Sequence, residues 1–99
     1  MDLQSKLRSS FTPKVRKRGD AYFQDDRVIE IRMNSETILA SVEGKMDDYG
    51  IRIDLINLGS MDCTCLHFSE GNNCKHIWSV ILRYDWIQNE QSKLSLIHI

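Results

Sequence analysis

The chain is predicted to be α+β: an N-terminal helix, a three-stranded antiparallel meander, then a zinc-bound β-hairpin and a C-terminal helix. Three observations predict this. Thr12-Pro13 opens a stretch that reads as a helix start. Apolar residues alternate with period two through residues 27–55. All three cysteines and two of the three histidines fall between Cys63 and His76, just before a run of helical periodicity.

Residues 1–10 are polar apart from the start Met, Leu3 and Leu7, and read as an arm or a frayed helix. One domain is then expected over 11–88, with a metal-binding finger over 61–88 and a tail over 89–99. At the domain's start Thr12 is placed as N-cap and Pro13 at the first helical position, where its missing N–H costs nothing. Val15, Tyr22 and Phe23 share a face, and Gly19 between them weakens the helix. Lys14, Arg16, Lys17 and Arg18 form a basic cluster. Such a cluster is commonly a solvated face, and its functional reading is contact with phosphates.

In "RVIEIRM", Ile29, Ile31 and Met33 alternate with Glu30 and Arg32. Asn34-Ser35 supplies a tight turn. "TILASVEG" puts Ile38, Ala40 and Val42 on one side. "YGIRIDLIN" puts Tyr49, Ile51, Ile53 and Leu55 inward and Arg52 and Asp54 outward. Alternation with one polar face indicates an antiparallel sheet wet on one side, and short connections favour a meander. After the cysteines, Ile77, Val80, Ile81, Tyr84 and Ile87 make one helical stripe; Trp78, Leu82 and Trp86 make a second. A small sheet covers only one, so Trp78 and Trp86 are expected to be partly exposed, as a surface for a partner.

At 99 residues the chain is one domain. A net charge of −1 lacks the overall basic footprint of a dedicated nucleic-acid binder. No apolar run is long enough to span a membrane, and the first residues lack a secretory h-region. A cytoplasmic, monomeric protein is the expectation. An odd number of cysteines in a reducing compartment points to metal rather than disulfides.

Cys63, Cys65, Cys74 and His76 are spaced C-x-C-x8-C-x-H. Cys63 and Cys65 in an extended segment point to one face. Residues two apart in sequence lie about 200° apart around a helix axis, so Cys74 must precede the helix whose first turn carries His76. Gly71, Asn72 and Asn73 suit the return of the chain. His67 competes with His76 for the fourth place, but two ligands on the hairpin and two on the helix is the common structural layout. Unliganded buried cysteines and a Cys74–His76 nucleophilic pair are the rival readings. The first does not explain the clustering, and the second lacks an orienting third group.

"CTC…CKHIWSVIL" resembles the SWIM zinc finger. "RGDAYFQDDRV" and "VEG…YGIRIDL" resemble the region preceding that finger in bacterial SWI/SNF-type helicases and small bacterial SWIM proteins, and together the likeness covers roughly residues 11–88. It implies one zinc held by Cys63, Cys65, Cys74 and His76, and a role in binding nucleic acid or protein. No G-x-x-x-x-G-K-[ST] is present, so a helicase engine would lie on a C-terminal part outside this chain. Four protein ligands leave zinc no open position, so the expectation is a structural metal in a non-catalytic module. Two partner classes remain. Protein, including a helicase domain of a longer chain, would dock on Trp78, Leu82 and Trp86. DNA or RNA would meet Lys14, Arg16, Lys17 and Arg18, with Lys75 and Arg83 as further candidates.

Overall fold

The structure, a computed structural model, describes residues 2–71 and 73–97; for His67, Ser69 and residues 91–97 it describes the backbone alone. Helix α1 (Leu3–Leu7) and a 3-10 turn (Arg8–Ser10) lead into helix α2 (Pro13–Gln24). Strands β1 (Val28–Met33), β2 (Thr37–Glu43), β3 (Asp48–Asp54) and β4 (Met61–Cys63) follow. One-turn helix α3 (Leu66–Ser69) and long helix α4 (Lys75–Ile97) complete the chain. The sheet is an antiparallel meander in the order β1-β2-β3-β4. No helix among the described residues is long and apolar enough to cross a membrane.

The α+β expectation holds, with one strand more in the sheet. Among the described residues the expected zinc-bound hairpin does not form a separate unit. Its first arm is β4, which pairs with β3 through Ile51–Cys63 and Ile53–Met61, and its second arm is replaced by α3. The cause is local. The Cys65 sulfur accepts the Phe68 N–H at 3.4 Å and caps a helical turn. Gly71, at φ +92°, then reverses the chain.

On β2 and β3 the alternation holds: Ile38, Val42, Ile51 and Ile53 are buried. On β1 it slips. A register shift between Val28 and Glu30 inserts a residue, so Val28, Ile31 and Met33 pack on the core while Ile29 is left half exposed. An extra residue reverses the facing of everything before it.

Helix α2 begins as expected, with the Thr12 hydroxyl accepting the Val15 N–H at 3.2 Å. Gly19 does not interrupt it; there α2 crosses α4 in close contact. A Cβ at Gly19 would stand 2.6 Å from Trp78 Cδ1 and 2.9 Å from the Lys75 carbonyl oxygen.

The first residues are an ordered cover rather than a loose arm. Leu3, Leu7 and Phe11 are buried. The Asp85 carboxylate of α4 accepts the Leu3 and Gln4 N–H groups at 2.8 and 2.9 Å, and Asp2 accepts the Ser5 N–H. This cover corrects the expected exposure of Trp78. Its ring is 2% exposed, lies 5.2 Å from Phe11, and donates its indole N–H to Asp20 at 3.0 Å. Trp86 is 46% exposed, as expected. Ile77, Val80 and Ile81 are fully buried. Beyond residue 89, read as a tail, the backbone of α4 continues to Ile97.

A candidate zinc centre and the groove beside it

Strand β4 delivers the first pair of thiols. Thr64 extends the pairing past Cys63: its N–H reaches the Gly50 carbonyl at 3.1 Å, and its hydroxyl accepts the Gly50 N–H at 3.0 Å. This holds Thr64 outward. Cys63 and Cys65, on the other face of the extended backbone, are buried. Cys74 lies just ahead of α4, and its carbonyl accepts the Trp78 N–H. His76 sits in the first turn.

The three sulfurs and the imidazole lie within 4.8 Å of one another, and all four residues are buried. The His76 Nδ1 is 3.8 Å from the Cys63 sulfur. Metal–ligand bonds of about 2.0–2.3 Å give a tetrahedron with edges of about 3.3–3.8 Å, so a small contraction closes this set on one ion. Soft sulfur with one imidazole is zinc's preferred donor chemistry. The His67 side chain, the rival fourth ligand, lies outside the described residues.

Without metal, three buried thiols share hydrogen bonds. The Cys63 thiol donates to Cys74 and holds it as a thiolate, its pKa drawn down to about 4. The same bond, with burial, pushes Cys63 well above the ordinary thiol range. Burial raises Cys65 as well. A single thiolate in a dry cluster is a state a divalent cation completes by displacing the remaining protons.

Two tyrosines that the sequence showed only as sheet and helix core grip His76. Tyr49 of β3 lies 4.4 Å away between ring centroids, and Tyr22 of α2 meets it edge-on at 5.3 Å. Periodicity marks such residues as inward-facing but does not say that they face a ligand. The Ser79 hydroxyl donates to the His76 carbonyl at 2.6 Å, and the Asn73 amide donates to the Ser10 carbonyl at 2.7 Å, tying the finger loop to the N-terminal turn.

The basic cluster divides around α2. Lys14 and Arg18, one turn apart, join Lys75 along a groove of about 500 Å³ that reaches Cys74 and His76. None of the described residues lining that groove is acidic. Arg16 and Lys17 turn to the other flank. Among the remaining candidates, Leu82 is partly buried against the core, and the Arg83 guanidinium stacks on Trp86 at 4.6 Å.

A buried Cys3His cluster between a sheet edge and a helix start defines a zinc-binding module with one zinc site. The family model of the SWIM zinc finger matches residues 53–85, the stretch from the end of β3 into α4. No curated protein and no solved structure matches the chain.

Proposed function

We propose that the chain is a non-catalytic recognition module in which a structural zinc builds a phosphate-binding groove, and that its ligand is nucleic acid. The observation that carries this is the convergence of Lys14, Arg18 and Lys75 from two helices on one groove free of acidic side chains, in a chain of net charge −1. Lys75 stands between two zinc ligands in sequence. The metal that fixes Cys74 and His76 therefore fixes the backbone of Lys75, and phosphate contact follows from zinc loading. Four protein ligands fill a tetrahedron, which leaves the metal no place for substrate.

Burial of Trp78 removes the centre of the aromatic surface that favoured a protein partner, and this shifts the balance to the basic groove. Protein docking keeps one support. Half-exposed Trp86 borders a hollow of about 340 Å³ in which Phe23 and Leu82 stand beside Asp2, Gln4, Asp85 and Asn89, a mixed surface for a segment of another domain. A helicase setting for the module rests on the likeness of "RGDAYFQDDRV" and "VEG…YGIRIDL" alone.

The test is an NMR titration of the zinc-loaded protein with short DNA and RNA, duplex and single-stranded. The expected result is shifts centred on Lys14, Arg18, Asn73 and Lys75, lost in Lys14→Glu/Arg18→Glu with zinc content unchanged. Shifts confined to residues around Trp86, or none, would overturn the nucleic-acid reading.

A further inference from the structure

The outward ridge of α2 is Lys14, Lys17, Arg18 and Ala21, all exposed. On one flank of this ridge runs the groove that Lys14, Arg18 and Lys75 line. The opposite flank carries a second hollow of about 260 Å³, lined by Arg8, Arg16 and Lys17. The one acidic residue there, Asp20, is engaged by the Trp78 indole N–H. Within this hollow's wall the Arg16 Nε is buried and has no hydrogen-bond partner among the described residues. An unpaired buried donor on a cation is a cost that a bound anion removes.

We infer that α2 is itself the inserted element. Its first two turns enter the major groove of duplex DNA, with the phosphates of the two strands received in the two flanking hollows. This rests on the nucleic-acid reading above and adds to it a ligand class and a docking geometry. A helix with its side chains is about 10–12 Å across, and the B-form major groove is about 12 Å wide. Cations on both flanks of one helix match phosphate walls on both sides of one groove. The deep, narrow major groove of A-form RNA does not admit a helix. Single strands are held chiefly by stacking on exposed rings, and the two rings lining the hollows, His76 and Trp78, are both buried. Asp25 and Asp26 confine the contact to the N-terminal half of α2, since carboxylates just beyond its C-terminal end repel the backbone.

Fluorescence anisotropy on the zinc-loaded protein decides it, with duplex DNA, duplex RNA and single-stranded DNA of one mixed sequence, each across a salt series. Arg8 and Lys17 are exposed, so Arg8→Gln/Lys17→Gln keeps the fold, checked by zinc content and amide spectra. The double variant is expected to lower the salt slope for duplex DNA by about two, near 0.9 for each lost phosphate contact. Lys14→Gln/Arg18→Gln should lower it equally, and duplex RNA should bind at least tenfold more weakly than duplex DNA. If the Arg8/Lys17 variant binds like the parent while the Lys14/Arg18 variant does not, the insertion of α2 is overturned and the groove reading stands. Equal binding of RNA duplex or single strand overturns the insertion too. Absence of binding to every nucleic acid overturns both.

Discussion

Gly19 of α2 lies directly against Trp78 of α4, where any β-carbon would sit 2.6 Å from the indole. This contact sets how closely α2 approaches the helix that carries His76. It thereby places Tyr22 against the imidazole and Lys14 and Arg18 beside Lys75.

Gly19→Ala is therefore expected to destabilise. The overpacked interface costs about 1–3 kcal/mol, and the better helix propensity of Ala returns at most about 1 kcal/mol. Urea denaturation of the zinc-loaded protein should show a lower midpoint at unchanged slope. A stabilised variant would mean that α2 and α4 are less closely packed.

Asp85 does for α1 what a capping residue does from within a helix, but from across the structure. Asp85→Ala strands the Leu3 and Gln4 N–H groups and should cost about 1–2 kcal/mol. Amide exchange at those two positions should accelerate sharply. Exchange unchanged from the parent would show that α1 stays seated through Leu3, Leu7 and Phe11 alone.

The strands, the start of α2 and the cluster of Cys63, Cys65, Cys74 and His76 were legible because each is local: a period, a cap, a spacing. What was not legible is what covers what. Leu3 and Leu7 are two aliphatics in a polar stretch, and a five-residue helix is too short to show a period. Nothing local says that they are buried against α4. The β1 bulge adds a single residue, which the alternation of Ile29, Ile31 and Met33 reads straight through. The one-turn helix α3 inside the loop between Cys65 and Cys74 was not legible because a sulfur-capped turn at Cys65 has no hydrophobic signature. The division of the basic cluster needed the direction of α2, which its packing against α4 at Gly19, Asp20 and Tyr22 fixes.

Removing the fourth ligand separates the two histidines. His76→Ala should weaken zinc binding by about 100-fold or more, since loss of a mere outer-shell partner already costs about 10–100-fold. His67→Ala should bind zinc like the parent. Competition with a chromophoric chelator measures both, and the reverse ranking would assign the finger to His67.

Zinc affinity should rise with pH. Zinc binds thiolates, so binding must expel the thiol protons that the metal-free chain keeps at neutral pH, those of Cys63 and Cys65 among them, and affinity should climb steadily from pH 6 to 8. As pH falls the protons compete and the metal is released. A pH-independent affinity would show that the thiols are ionised before zinc arrives.

The account stands on one zinc joining the edge of the sheet to the start of α4, and amide NMR with and without a strong chelator tests that most directly. The zinc-loaded protein, one ion per chain by native mass spectrometry, should give dispersed signals throughout. On chelation the signals of β4, α3 and the first turns of α4 should collapse, while those of β1, β2 and β3 partly persist. A metal-free chain with the same spectrum as the loaded one would contradict it.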